Sequence, residues 1–388
     1  MLPYRATLNA GTGKSITIQY IVEALGLDPD REVCYACPTG KACNQLQKLG
    51  HRNVDTLHRV LWSHIPTEKG YFIKKPKPRE EVECYKLIVV DEVSMVPQEM
   101  IEQLFNYDVF VIFCGDPGQL EPVSGETNEF LKHPDIFFDE VMRQAKESDI
   151  IRLSLDIREG KPLEIYKGTD AMVLSPKDLT DGMMHWADEI LVATNAKRIG
   201  VNNYMRRLYG HDTEGPQPGD KIIARHNYHE IYGNKGFNLM NGTIGVVGDG
   251  VKEFQRPRYV KYPLIKEAPF YKVKFTTDYG QSFGTLNIDK QKLLTGTYSL
   301  TFQEQQLKKK AIKEYLTIPW QRREAIEEGI PLEFEYAFAI TCHSAQGSSW
   351  DKILLLEEKF PHDKKEHIRW LYTGLTRCQE KAIIIKGE

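Results

Sequence analysis

The sequence predicts an α/β protein with two doubly wound parallel sheets, the first interrupted by a short hairpin and the second by a small β-rich insertion. Three observations carry this. The apolar runs KLIVVDE and VFVIFCGD show no period-two alternation and end in an acid, as parallel strands covered on both faces do. Helix-period segments separate such runs. The same alternation returns after residue 146 at EILVAT, FEYAFAITCHSAQG, DKILLLEE and KAIIIKGE, on either side of short strands punctuated by turn glycines.

The elements follow in order. Residues 1–145 make the first domain. It opens with TLNAGTGKS, residues 7–15, between a short strand and the run ITIQYIVEALGL. That run predicts a helix with Ile16, Tyr20, Ile21, Ala24 and Leu25 on one face, stopped at Gly26. EVCYAC reads as the next strand and KACNQLQKLG as its helix. The polar stretch IPTEKGYFIKKPKPREEVE is too rich in Lys, Pro and Glu for a core and predicts a protruding hairpin over 62–84. Residues 146–215 and 331–388 make the second domain. Between them, KIIAR, GTIGVVGDG, YKVKFTTD and QSFGTLNI predict a small barrel and QEQQLKKKAIKEYLTIPWQRREAIEEG a charged helix, together inserted over 216–330. No internal repeat or low-complexity segment is present.

Composition bounds the function. A net charge of −3 excludes an all-round basic surface, so any phosphate binding must use local grooves. With 41% hydrophobic residues and no apolar run near the roughly 18 residues that cross a bilayer, the chain reads as soluble and not membrane-bound. MLPYRATLNA lacks the grammar of a secretory signal, which makes the cytoplasm the expected setting. The seven cysteines form no disulfide framework. Cys34 and Cys37 make a C-x-x-C, but no second pair or spaced histidines follow, so zinc is not expected.

The chemistry-bearing motifs are four. Gly11, Gly13, Lys14 and Ser15 match the back half of G-x-x-x-x-G-K-[ST], whose backbone N–H groups wrap phosphate, whose lysine reaches the β and γ oxygens and whose hydroxyl binds Mg²⁺. The first glycine of that pattern falls on Leu8; either the substitution is tolerated, or Asn9 makes the turn in a shorter loop. Asp91 and Glu92 follow LIVV, one carboxylate placed for Mg²⁺ through water and the other as a base for an attacking water. Alone, such a pair also fits a helix N-cap. CGDPGQLEPV brings Gly115, Asp116 and Gln119, whose amide can sense a γ-phosphate. Arg143 in VMRQ and Arg377 in GLTRC are candidate donors to a transferring phosphoryl group.

In sum these motifs resemble superfamily 1B helicases of the RecD-like and phage Dda-like kind. NAGTGKS, CPTGKACNQL, DTLHRVL, DEVSM, GDPGQLEPV, VMRQ, ATNAKRIGVNN, NGTIGVV, YAFAITCHSAQGSSWD and LYTGLTR run in family order between residues 9 and 377. The resemblance implies two RecA-like motor domains, an SH3-like barrel inserted in the second and a pin hairpin in the first. It implies ATP as substrate and Mg²⁺ as cofactor, with Asn9, Ala10, Gly11, Thr12, Gly13, Lys14, Ser15 and Gly347 on the nucleotide. It implies that Lys14, Asp91, Glu92, Gln119, Arg143 and Arg377 are catalytic, with Ser15 and Asp91 toward the metal. It further implies that Pro38, Thr39, Lys41, Thr56 and His58 hold a single DNA strand on the first domain, and Thr341, His343, Ser344 and Gln346 on the second. Hydroxyls, amides and backbone N–H groups suit that task because phosphate contacts do not read sequence, and stacked rings add about 1–3 kcal/mol per base. His58 fits a satisfied core histidine as well. Tyr71 or Phe72 is the expected pin aromatic, with Lys74, Lys75 and Lys77 near phosphates; both rings also fit a purely structural anchor.

The expected activity is that of an ATP-dependent 5′→3′ DNA helicase, a monomer acting on single-stranded and fork DNA in bacterial or phage replication, recombination or repair. Single-strand-binding and other replication proteins are its expected partners. The polarity comes from the resemblance alone. Relatives carry an adenine-reading glutamine on a helix ahead of the first strand, and the short lead before this P-loop predicts loose nucleotide selectivity unless a longer start exists. The rival is a hydrolysis-impaired or accessory single-strand-binding subunit of a helicase–nuclease complex. Glu92, Gln119 and Arg377 argue against it, since a binding platform needs none of them.

Overall fold

The computed structural model describes residues 4–8, 14–66, 72–121, 135–138, 148–211, 215–226, 228, 239–254, 270–296, 332–358 and 363–387. The chain divides into two compact units, residues 1–63, 76–195 and 340–388 in one and residues 64–75 and 196–339 in the other.

The larger unit holds two parallel sheets. In the first, β1 (Tyr4–Leu8), β2 (Val33–Cys37), β3 (Val54–Thr56), β6 (Leu87–Val90), β7 (Phe110–Gly115) and β8 (Ile136–Phe138) pair in the order β3-β2-β6-β7-β1-β8. Between β3 and β6 the chain makes a two-stranded sheet of β4 (Trp62–Pro66) and β5 (Phe72–Pro76). The first-sheet strands alternate cleanly between two cores. Cys34, Ala36, Ile88, Val90, Val111 and Phe113 pack with α3 (Leu57–Leu61) and α5 (Gln98–Leu104). Val33, Tyr35, Cys37, Leu87, Val89, Ile112 and Cys114 pack with α1 (Lys14–Ala24) and α2 (Gly40–Lys48). A strand covered on both faces must be apolar at every position, which is why these runs lack alternation. Cys34 and Cys37, an odd number of residues apart, lie on opposite faces and cannot share a metal ion.

Two expectations are corrected here. Among the described side chains of α1, Ile18 and Val22 are buried and Ile21 is half-buried, whereas Tyr20, Ala24 and, just past the helix, Leu25 are exposed; the side chain of Ile16 lies outside the described set. The helix is apolar enough on several sides for periodicity to mislead; the sheet selects a stripe rotated by roughly 100°, about one residue, round the helix. The hairpin insertion is shorter than 62–84, because α4 (Arg79–Val82) returns Val82 to the first core at 1% exposure.

The second sheet has the order β18-β11-β19-β20-β10-β9, built from β9 (Tyr166–Lys167), β10 (Ala171–Leu174), β11 (Glu189–Val192), β18 (Ala339–Thr341), β19 (Trp350–Leu356) and β20 (Cys378–Ile385). β11, β19, β20 and β10 are parallel, and β9 is antiparallel at the edge. The helices α6 (Asp149–Arg158), α7 (Asp181–Trp186) and α8 (Asn195–Leu208) precede the insertion; α10 (Cys342–Ala345) and α11 (Lys364–Leu375) follow it.

The smaller unit contains an antiparallel sheet in the order β14-β15-β13-β12-β17, with β16 also on β15. Its strands are β12 (Lys221–Ala224), β13 (Ile244–Val247), β14 (Lys252–Phe254), β15 (Phe270–Thr277), β16 (Ser282–Asp289) and β17 (Phe334–Tyr336), with α9 (Lys290–Thr295) after β16. Phe275, Phe283, Phe334 and Val273 form its core. The return to the α/β pattern was expected at FEY, but those residues are β17 and pair with β12, so the insertion runs past residue 330. The predicted charged helix lies outside the described residues. The Glu335 carboxylate, 2% exposed, receives Arg198 at 2.6 Å, Arg225 at 2.6 Å and Lys292 at 2.7 Å. Among the described residues no helix is long and apolar enough to cross a membrane.

Candidate active site

All four residues of β6 are buried, so its carboxylates appear only where the strand ends. The Asp91 N–H still donates to Ala36 O of β2 at 2.9 Å, and Asp91 Oδ1 accepts from the Glu92 N–H at 2.9 Å. Glu92 takes φ 52° and ψ 43°; among the described residues it alone adopts positive φ without being glycine. An L-residue pays about 1–2 kcal/mol for that conformation, and such strain persists where the surroundings impose it, commonly at working sites.

β7 lies between β1 and β6, so the loop after Gly115 sits at the same sheet edge as the acid pair and the end of the strand that leads into TLNAGTGKS. Gln119, 2% exposed, bridges two groups. Oriented with its nitrogen toward Glu92, its amide donates to Glu92 Oε2 at 3.2 Å and accepts from Arg377 Nη2 at 3.3 Å. Arg377 is 7% exposed, and its guanidinium also donates to the carbonyls of Thr373 (3.2 Å) and Ser348 (3.4 Å) and to Thr376 Oγ1 (3.4 Å). A carboxylate and an amide at the edge of one sheet and a guanidinium carried by the other are thereby brought together. Asn9, Ala10, Gly11, Thr12 and Gly13 lie outside the described residues, as does Arg143; Lys14 and Ser15 open α1, and their side chains are outside the described set.

The predicted strand-side residues form two groups. Thr39 caps α2 by accepting from the Ala42 N–H at 3.3 Å, and Pro38 beside it is half-buried. Lys41 Nζ sits 5.1 Å from the centre of the Trp350 ring. Gly347 has φ +71°, and a Cβ on it would come 3.1 Å from Ala42 Cβ, so the AQGSSW loop seats on the first turn of α2 only with glycine there. Thr56 ends β3 immediately before α3 at 8% exposure, and His58 on that helix is exposed, its ring 4.9 Å from the Trp62 ring. His58 is therefore no core histidine. In the second group, Thr341 caps α10, accepting from the Ser344 N–H at 3.4 Å and donating to Ser344 Oγ at 3.1 Å. His343 is half-buried, and burial pushes its pKa below the usual histidine value, with Glu366 opposing. Gln346 is 4% exposed and donates to Leu120 O at 3.1 Å, so in this structure it belongs with the Gln119 loop. Phe72 begins β5, its side chain outside the described set; Tyr71 lies outside the described residues altogether.

Two family models match the chain: the AAA domain over residues 6–173 and the UvrD-like helicase C-terminal domain over residues 336–385, together more than half of its length. The ATP-dependent RecD2 DNA helicase of Deinococcus radiodurans is 27% identical over 268 residues, 61% of this chain and 35% of that protein. The ATP-dependent DNA helicase dda of Enterobacteria phage T4 is 28% identical over 170 residues, 41% of this chain and 38% of that protein. The chain is similar to RecD-like and Dda-like DNA helicases. It spans little more than a third of the length of these two relatives. The crystal structure of a Bacteroides Pif1 helicase in complex with ADP-AlF3 and single-stranded DNA matches in fold, with a TM-score of 0.53 at 16% identity over 100% of this chain and 91% of that one.

The sequence motifs pointed to the acid pair, Gln119 and Arg377, and the structure brings Glu92, Gln119 and Arg377 together. The motifs missed Arg369, Tyr372 and Thr373, which share LYTGLTR or its approach with Arg377, and Trp350, which follows the HSAQG segment. The spacing 369, 372, 373 on one helix was the available signal: i, i+3 and i+4 project from one face.

Proposed function

We propose that this chain is an ATP-dependent DNA helicase that moves 5′→3′ along single-stranded DNA, with the polarity taken from its family. The observation that carries the catalytic part is the Glu92–Gln119–Arg377 bridge. In this reading Lys14 and the backbone of residues 9–13 hold the phosphates of ATP, Glu92 accepts a proton from the attacking water, and Arg377 with Arg143 stabilises charge on the transferring phosphoryl group. Asp91 and Ser15 are hard oxygen donors of the kind Mg²⁺ takes alongside phosphate and water. Bound there, the ion would neutralise charge between the β and γ oxygens. For Gln119 to report on a γ-phosphate it must release Glu92, so nucleotide entry competes with the bridge.

The strand-side residues Thr39, Lys41, Thr56, His58, Thr341, His343 and Ser344 supply hydroxyl, amine and imidazole groups suited to phosphate contact without base reading. The Pif1 complex with single-stranded DNA supports a nucleic-acid substrate by analogy of fold, as does a Pif1 structure on forked duplex DNA. In this reading the β4–β5 hairpin is the pin and the inserted sheet the SH3-like barrel that braces it. The test is DNA-stimulated ATP hydrolysis by the wild type and a Glu92→Gln variant. A stimulated wild-type rate that falls by at least about 10²-fold in the variant is expected. Equal, negligible rates would instead favour an accessory single-strand-binding subunit.

A further inference from the structure

The loop carrying Gln119 is fastened through four residue pairs, three to helix α11 and one to Arg377 just past it. Tyr372 Oη donates to Asp116 Oδ2 at 2.5 Å, while Asp116 Oδ1 accepts from the Gly118 N–H at 2.9 Å. Thr373 Oγ1 accepts from the Leu120 N–H at 2.9 Å, and Arg369 pairs with Glu121. Arg377, just past the helix, meets Gln119. The Tyr372 ring lies directly under the loop: a Cβ on Gly118 would sit 3.1 Å from Tyr372 Cε1. Asp116 and Thr373 are 0% exposed and Tyr372 is 2% exposed.

These contacts divide the work around Arg377. Three of its bonds go to Thr373, Ser348 and Thr376, all on the second-sheet side. Among the described residues, its bond toward the first sheet is to Gln119, and the loop that aims Gln119 is registered by Asp116. The bond between Tyr372 and a buried carboxylate is charge-assisted, the strong kind. Losing it removes the tie between Asp116 and α11 and frees the loop to shift, and a displacement near 1 Å costs on the order of a hundredfold where groups must be aligned.

We propose that Tyr372 and Asp116 are positioning residues: their hydrogen bond locks the Gln119 loop to α11, so that Gln119 and Arg377 engage the nucleotide as one unit. The proposal rests on the ATPase reading above and adds to it a dependence of turnover, rather than of ATP affinity, on a hydroxyl that touches no phosphate. The test is Tyr372→Phe, which keeps the ring beneath Gly118 and removes only the hydroxyl. DNA-stimulated kcat should fall about tenfold, with KM for ATP and Kd for single-stranded DNA changed less than about twofold. Asp116→Ala should lower kcat as well, and the double variant should be no slower than Asp116→Ala alone, because the bond lost in Tyr372→Phe is already absent there. Wild-type kcat in Tyr372→Phe, or additive losses in the double variant, would overturn the proposal while leaving the ATPase reading intact. A fall in kcat that merely follows the folded fraction, measured by circular dichroism, would also overturn it. A wild type with no ATPase activity would overturn the parent reading, and this proposal with it.

Discussion

Glu92 joins the base role proposed above to a conformational cost. Its left-handed backbone is imposed by a strand that must stay buried to Val90 and a turn that must open immediately afterwards. Removing the side chain relieves strain only if the Cβ goes too. Glu92→Gly is therefore expected to melt above Glu92→Ala, by up to about 1 kcal/mol of stability after the entropy of glycine in the unfolded chain is subtracted. Both variants should be inactive as ATPases. Equal melting temperatures would mean that the left-handed turn is not held in solution. His343 makes a pH prediction at the same scale. Its folded pKa lies below the ordinary 6.5 through burial, so the unfolded chain binds the proton more readily. The neutral ring therefore costs nothing above that value, and stability is lost as pH falls through the unfolded pKa toward the folded one. His343→Gln should flatten that part of the stability profile between pH 7 and 5; an unchanged slope would assign it to other groups.

At the level of elements, α11 is held between two partners. Its Tyr372 and Thr373 face the Gln119 loop, while Gly374 faces β19 and α10. A Cβ on Gly374 would lie 2.8 Å from Leu355 Cδ1 and 3.1 Å from Cys342 Sγ. Alanine raises helix propensity by about 1 kcal/mol over glycine, but Leu355 and Cys342 are both 0% exposed and have little room to yield. Overpacking should win: Gly374→Ala is expected to lower stability by about 1–2 kcal/mol, read by urea denaturation. Leu355→Val in the same chain should recover part of the loss. A Gly374→Ala variant as stable as the wild type would show that helix and sheet are less tightly packed than this geometry. The Thr39 cap on α2 belongs to the same scale, since it sets the turn on which Gly347 rests.

For the molecule as a whole, the thiols report the fold. Cys34, Cys37, Cys43, Cys114 and Cys342 are buried, and burial pushes the Cys34 pKa up to about 12; Cys84 is exposed. A native sample at pH 8 should show one fast thiol, removed by Cys84→Ser, with Cys378 slower and all seven reacting in denaturant. Several fast thiols would contradict the doubly covered sheets. Much of that architecture was legible in the chain. Uninterrupted runs such as LIVV and FVIFCG can be stable only as strands covered on both sides, and a strand so covered can present Asp91, Glu92 and Asp116 only where it ends. Those two facts follow from local composition and the cost of burying charge. Periodicity was a poorer guide in α1, where several stripes are apolar and only the sheet chooses Ile18 and Val22. It also could not assign FEY, because an apolar triplet pairs equally well in either kind of sheet. By itself, then, the sequence named Asp91, Glu92, Gln119 and Arg377 as candidate groups and the order in which they come. Tertiary structure alone decided that Gln119 bridges Glu92 to Arg377, that Gln346 turns to Leu120, and that Tyr372 holds Asp116. These contacts join segments more than two hundred residues apart or opposite sheets of one unit, and no local pattern encodes which side chains such a packing brings within hydrogen-bond reach.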